Sequence, residues 1–265
     1  MDIAGYIASI FIGISLGLIG GGGSILTVPV LVYLFSVDAV LATAYSLFIV
    51  GTTSVVGSFS FFKKGLVNIK TAVVFGIPSI AAVFLTRAFI VPAIPNEIFS
   101  VGNFTITKSI LLMLLFSVLM IFASYKMIKK CTNCNEDEKQ IQQINYPLSF
   151  LQGTFVGLVT GLIGAGGGFL IIPALVNLLK LPMKTAIGTS LLIISINSLT
   201  GFLFSLHHTI IDWKFLFIIS SIAIIGILIG SFISTKINGK KLKPTFGWFV
   251  LVMGIYIIIK ETILK

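Results

Sequence analysis

Apolar runs of about twenty residues follow one another along nearly the whole 265-residue chain. At 1.5 Å per residue, such a run makes a helix that crosses roughly 30 Å of hydrocarbon. The runs do not alternate as the strands of an outer-membrane barrel would. Apolar residues make up 57% of the sequence and charged residues 10%, with a mean hydropathy of +1.12, far more than a water-soluble core of this size needs. The chain reads as an all-α integral membrane protein.

The start, MDIAGYIASIFIG, lacks the basic region and small-residue cleavage site of a secretory signal, so the first run is expected to remain as a helix. The formal net charge is +10, which in a soluble domain would suggest nucleic acid. Here the lysines lie between apolar runs, where they set topology, and no nucleic-acid partner is expected. The expected partners are a small anion, the lipid bilayer and a second copy of the chain as a homodimer. Cys131 and Cys134 form CTNC within the polar stretch KKCTNCNEDEKQIQQ. A structural zinc site needs four ligands, and this loop has one CxxC and no histidine. Reduced thiols are the plain reading, with a zinc shared between protomers or a redox pair as alternatives, and no cofactor is expected.

Two glycine clusters break the apolar pattern: GLIGGGGSILTVPVLVYL from Gly17 and GLIGAGGGFLIIPALVNLL from Gly161. Sliding residues 11–70 onto 155–214 without a gap matches about a third of the positions, among them Gly13/Gly157, Gly20/Gly164, Pro29/Pro173, Ser46/Ser190 and Gly57/Gly201. Registered glycines and prolines are not a by-product of apolar composition. The chain is therefore a tandem duplication: a first transmembrane repeat (1–128), a cytoplasmic linker (129–146) and a second repeat (147–265).

Each repeat offers one apolar run before its glycines (3–19; 147–163), a short one after them (24–36; 169–181), and three more of full length. If the short run crosses, each half makes five crossings and the halves are inverted; if it is re-entrant, each makes four and they are parallel. Inversion gathers thirteen lysines, those of 63–70, 126–139, 180–184 and 236–243, on one side. It leaves Arg87, Lys108, Lys214, Lys260 and Lys265 on the other. Parallel halves would divide the charges almost evenly, so the positive-inside rule favours inversion with both termini outside a cytoplasmic, multi-pass membrane. The short run alone gives about 20 Å of helix, and four extended glycines add roughly 13 Å. The expected fold is two inverted homologous repeats, each with about four full transmembrane helices plus a half-helix after an unwound glycine crossing.

An unwound segment at membrane depth must be buried in protein or line a watery cavity. Glycine permits close approach of a ligand, and a half-helix N-terminus attracts anions. Two copies aim Gly20, Gly21, Gly22, Gly23 and Ser24, and Gly164, Ala165, Gly166, Gly167 and Gly168, at the membrane centre. Hydroxyls and an amide that follow, Ser46, Thr189, Ser190 and Asn197, are candidate substrate contacts, or else ordinary helix-to-helix hydrogen bonds. The GxxxG pairs Gly13/Gly17 and Gly157/Gly161 read as packing positions. Asp38, Arg87 and Asp212 fall at span ends, where capping or snorkelling is expected. His207 and His208 form a loop-facing pair or a pH-sensitive gate.

The residues reached so far resemble the TauE/SafE family of membrane permeases, called sulfite exporters. GLIGGGGSILTVPVL and GLIGAGGGFLIIPALV resemble its repeated glycine-rich element. AIGTSLLIISINSLTG followed by HHTIIDW is similar to its second-half segment. The resemblance implies transport of small anions, typically sulfur-containing oxyanions such as sulfite or an organosulfonate. The residues themselves lead only to a small anion. The first copy departs from the pattern at Ala42 to Leu47, where Tyr45 stands opposite Thr189.

A secondary transporter working by alternating access accounts for the duplication, the broken helices and the absence of a GxxxxGK[ST] sequence. An anion channel, or a transporter of another small carboxylate, would use the same half-helix ends. An enzyme is the weakest alternative, since there is no HExxH and the two histidines adjoin each other at a span end.

Overall fold

The computed structural model describes residues 2–95, 97–101, 104–128, 146–164, 166–179, 181–206, 211–237 and 239–262. Three features named above lie outside the described residues: the loop with Cys131 and Cys134, Ala165, and the pair His207 and His208. In the first half, α1 (Asp2–Ile19), α2 (Gly22–Tyr33), α3 (Ala39–Lys63) and α4 (Ile69–Leu85) are followed by a π-helical turn, Thr86–Ile90, and by α5 (Val91–Ala93). Strands β1 (Glu97–Val101) and β2 (Phe104–Thr107) then lead into α6 (Lys108–Ile128). The second half runs α7 (Tyr146–Ile163), α8 (Gly168–Pro173) with a π-helical extension Ala174–Leu178, α9 (Met183–Ser205), α10 (Trp213–Lys236) and α11 (Gly239–Thr262).

Among the described residues, four segments are long and apolar enough to cross a membrane: Ala39–Lys63, Ile69–Ala93, Met183–Ser205 and Trp213–Ser234. Their starts follow local chemistry. Asp38 Oδ1 accepts from the Val40 and Leu41 amides at 2.9 and 3.3 Å, Asn68 Oδ1 from the Thr71 amide at 3.1 Å, and Asp212 Oδ1 from the Phe215 amide at 3.1 Å. Each satisfies a donor that the first helical turn leaves free. Asp38 and Asp212 thus cap helices, as their positions suggested. The chain is not purely helical, however. β1 and β2 pair antiparallel with Phe99 opposite Ile106 and Val101 opposite Phe104. Glu97–Val101 and Phe104–Thr107 are rich in β-branched and aromatic residues, which suits a strand pair.

The expected unwound crossing after α1 is overturned. Only Gly20 and Gly21 separate α1 from α2, and α2 folds back along α1 instead of continuing away from it. Phe35, just past α2, lies against Gly5, and its ring sits 5.7 Å from that of Tyr6; Gly23 lies against Ile12 and Leu16. Gly20 has a φ of 73°, a left-handed conformation that reverses the chain within two residues. Length arithmetic allowed the glycines to span; their dihedrals make them a turn. The second half does the same. Its α7 packs with its start beside Phe75 and its end beside Thr86, while Gly188, early in α9, lies against Leu66. The chain between α7 and α9 has therefore gone in and come back. Each half contains an in-and-out helix pair and three long helices, rather than four full spans and a crossing half-helix.

Packing interleaves the halves. Helix α1 packs on α10, α7 on α4, α3 on α9, and α6 on α11. Between apolar helices in lipid the hydrophobic effect supplies little, so close backbone approach has to hold them together. Gly13 and Gly17 lie against Ala223, Ile227 and Ser231 of α10, whose own Gly226 and Gly230 lie against Ile10 and Ile14. Gly157 and Gly161 lie in the same way against Ser79, Ala82 and Thr86. Both GxxxG pairs therefore pack, and GILIG in α10 is a third, unforeseen one.

The contacts sort the helix ends into two groups. At one end Phe35 meets Phe215 at 5.0 Å, the Tyr45 hydroxyl accepts from the Asp212 amide at 2.8 Å, and Lys260 Nζ lies 3.7 Å from the Tyr33 ring centre. At the other, Leu66 meets Gly188 and the Asn68 amide donates to Thr189 Oγ1 at 2.9 Å.

Candidate functional site

The two glycine turns meet in the interior, where Gly21 lies against Gly168 with no room for a side chain on either. Around this contact pass α3 and α9, whose central residues are almost all buried. The turns then differ sharply in their surroundings.

The first turn is closed on itself. The Gly20 amide donates to Leu16 O at 2.7 Å, and Ser24 Oγ donates to Gly21 O at 2.6 Å. Ser190 Oγ lies 3.1 Å from Gly20 O and 2.9 Å from Ile187 O. The other neighbours are Ile187 beside Gly20 and Leu16 beside Gly23, both apolar.

The second turn takes three positive φ values, 71° at Gly164, 67° at Gly166 and 68° at Gly167. L side chains rarely adopt this conformation, so the repeated glycines are needed for the path itself. The Gly164 amide donates to Thr160 O at 2.9 Å, and the Leu170 and Ile171 amides to Gly167 O at 3.0 Å. The lining is polar. Gly164 lies against the Arg87 guanidinium and Thr43, Gly166 against Ser198 Oγ and Val50, and Gly167 against Thr160 Oγ1.

Arg87 is the outstanding residue. It is only 4% exposed, and Nη1 donates to Thr43 Oγ1 at 3.2 Å and to Ser205 Oγ at 3.4 Å. Its Nε and Nη2 have no hydrogen-bond partner among the described residues, and neither do Thr160 Oγ1, Ser198 Oγ or Ser46 Oγ. Ser46 lies on α3 between Thr43 and Val50, one turn from each, so it faces the glycine turn with them. Buried polar groups without partners are costly in a bundle that faces lipid, which makes such a cluster a place for a ligand.

Sequence position put Arg87 at a span end with its charge snorkelling outward. The structure corrects this: Arg87 stands one turn after the buried Val83, so it continues the inward face of α4 into the π-helical turn Thr86–Ile90. Ser198 stood out in the sequence only as one of several small polar residues in its span, and Thr160 was missed. The only signal of Thr160 is a single hydroxyl in an apolar run, which many membrane helices show.

The remaining predicted residues are spread over several places. Gly20, Gly21, Gly23 and Ser24 belong to the first turn, where α2 begins at Gly22; Gly164, Gly166, Gly167 and Gly168 belong to the second. Ser46 joins the second turn and Ser190 the first, whereas Thr189 points away to the Asn68 amide. Asn197 Nδ2 donates to Ser79 Oγ at 2.6 Å, and its Oδ1 has no partner among the described residues. Tyr45 turns toward the Asp212 amide and the ring of Phe215. Among the described residues no group of three or more His, Cys, Asp or Glu could hold a metal ion.

With this geometry in place, the relatives are informative. Residues 6–257 match the family model described as Sulfite exporter TauE/SafE. A "Probable membrane transporter protein" of Xylella fastidiosa (strain 9a5c) is 30% identical over 253 residues, covering 93% of this chain and 91% of that protein. "Probable membrane transporter protein YunE" of Bacillus subtilis (strain 168) is 27% identical, covering 91% of each. No solved structure matches. The family match spans almost the whole chain, both glycine turns included, and the relatives are aligned nearly from end to end; the chain belongs to the TauE/SafE sulfite exporter family of membrane transporters.

Proposed function

We propose that this protein is a secondary transporter that moves a small anion, in the first instance sulfite or an organosulfonate, across the cytoplasmic membrane by alternating access. The observation that carries the reading is the meeting of two glycine turns, Gly21 against Gly168, between α3 and α9. Non-helical backbone at membrane depth is tolerated where it is buried or serves a binding site, and here the N-terminal ends of α2 and α8 start from it. Free amides and the helix dipole favour negative charge at such ends.

In this reading the halves are inverted. An in-and-out pair adds no net crossing, so three long helices per half leave the second half upside down relative to the first. Lys63, Lys64, Lys184 and Lys236 then lie on the cytoplasmic side, with the termini outside, in agreement with the positive-inside rule. Transport follows if one helix pair and its partners rock against the other, exposing the turns first to one side and then to the other. The membership of the family and the naming of its relatives support a transporter rather than an enzyme.

The decisive measurement is flux in proteoliposomes with radiolabelled sulfite, methanesulfonate and acetate. Accumulation of at least one anion against its gradient is expected; no movement under any imposed gradient overturns the reading. Dissipation at channel rates without accumulation replaces the transporter with an anion channel. A second measurement tests the inversion. Cysteines placed at Lys64 and Lys236 are expected to react with an impermeant maleimide from one side of the membrane, and one at Lys214 from the other. Labelling of Lys64 and Lys236 from opposite sides overturns it.

A further inference from the structure

We propose that the second glycine turn alone is the recognition site, and that it takes the head group of an oxyanion with at least two acceptor oxygens, held by Arg87. This rests on the anion-transporter reading. It goes beyond it by replacing two equivalent half-sites with one working site and one locked copy.

The repeat supplies an internal comparison, because each residue has a counterpart 144 positions away, as Gly17 has in Gly161. Around the second turn stand Thr43, Ser46, Arg87 and Thr160; the corresponding positions are Ile187, Ser190, Ser231 and Leu16. The first copy therefore has an isoleucine and a leucine where the second has hydroxyls, and a serine where the second has a cation. Ser190 is engaged with Gly20 O and Ile187 O, whereas Ser54, the counterpart of Ser198, is buried without a partner as Ser198 is. Among the described residues the first turn thus has no cation beside it, and the hydroxyls of Ser24 and Ser190 there are engaged by backbone carbonyls.

At the second turn the reverse holds. Nη1 fixes the guanidinium to Thr43 and Ser205, on α3 and α9, so that the plane is set before any ligand arrives. The atoms left without partners, Nε and Nη2, form one edge of the fork, and Nη2 lies against Gly164. That edge presents two parallel N–H groups, the match for two oxygens of one head group. The hydroxyls of Ser46, Thr160 and Ser198, also without partners, can donate to further oxygens from the other side of the turn. A sphere such as chloride meets one donor direction at a time and loses this advantage. Asp38 and Asp212 accept from backbone amides as helix caps, and among the described residues no carboxylate bonds to Arg87.

Arg87 is also the single arginine of the chain, whose other basic residues are lysines and two histidines. An arginine-selective dicarbonyl such as phenylglyoxal thus reports on this side chain without any substitution. In the full-length protein in detergent, saturating sulfite or methanesulfonate is expected to slow modification of Arg87, followed by peptide mass, at least about fivefold. Chloride at equal ionic strength is expected to leave the rate unchanged. Equal rates with and without the oxyanion, or no modification in either condition, overturn the proposal. In proteoliposomes Arg87→Gln is expected to raise KM for the transported oxyanion about a hundredfold, and Arg87→Lys about tenfold, as loss of a charged fork and its replacement by a point charge imply. Ser198→Ala is expected to raise KM about threefold or more, whereas Ser190→Ala keeps it within about twofold. A wild-type KM in Arg87→Gln, or equal effects of the two serines, also overturns it. Because protection is read on the unaltered chain, a variant that fails to fold leaves that measurement decisive. Protection without flux would sink the transporter reading and leave the site standing; flux without protection would do the opposite.

Discussion

Replacing Gly168 with leucine is expected to lower anion flux at least about a hundredfold while leaving a protein that still inserts and can be purified. The reason is the contact at the centre of the bundle. A Cβ on Gly168 would collide with the Gly21 backbone and come 2.6 Å from Ile194 Cδ1. Ile194 can rotate, but Gly21 has no side chain to move, so the turns themselves must part. Overpacking of this kind costs about 1–3 kcal/mol in a packed interior. Function should suffer more than stability, since separating the turns displaces Gly166 and Gly167 from Ser198 and Thr160 as well. Thermal unfolding and flux measured on one preparation separate the two effects. A useful reference is Gly76→Ala in α4, where an added Cβ meets nothing within 4 Å. There the melting temperature should rise, as removing a helical glycine contributes about 0.5–1 kcal/mol. Flux near the wild-type level in Gly168→Leu would mean that the turns need not touch.

The second large effect is expected at Gly167. Alanine there meets two separate penalties: a left-handed φ of 68°, and a collision with Thr160 Oγ1. The first costs about 1–2 kcal/mol and the second about 1–3 kcal/mol. Thr160→Ala removes the hydroxyl and hence the collision, but it cannot change the dihedral. The double variant should therefore regain the collision part of the lost stability and retain the remainder, a non-additivity that a double-mutant cycle measures directly. Strict additivity would show that Thr160 does not press on the turn.

Much of this architecture is legible in the residues. Runs of apolar residues, registered glycines and the helix-start residues Asp38, Asn68 and Asp212 all act locally, through hydrocarbon thickness, backbone dihedrals and capping. The course of the chain after Gly20 is not legible in this way. An extended glycine run and a tight turn have the same composition, and only the packing of Phe35 on Gly5 and Tyr6 separates them. Arg87 illustrates a second limit. Its place near a span end predicted capping or snorkelling, yet the side chain continues the buried face of Ser79 and Val83 to meet Thr43 and Ser205, partners that lie on other helices far along the chain. The glycine turns could be found because they are duplicated. Their unequal linings could not be ranked, because Ser46 and Ser190 look alike until their hydrogen bonds are known.

The pairing of α1 with α10 bears on how the protein is made. The glycine face of α1 is complete after the first few dozen residues, but its partner surface, from Ala223 to Ser231, is synthesised some two hundred residues later. At about 5–20 residues per second, that is roughly 10–40 s during which Gly13 and Gly17 face lipid or the insertion machinery. The in-and-out pair α1–α2 has to wait, held at its base by the rings of Tyr6 and Phe35, until the other half closes over it. The packing of α1 is thus completed only once α10 has been made, and a chain released before α10 would leave its first helix without its main partner.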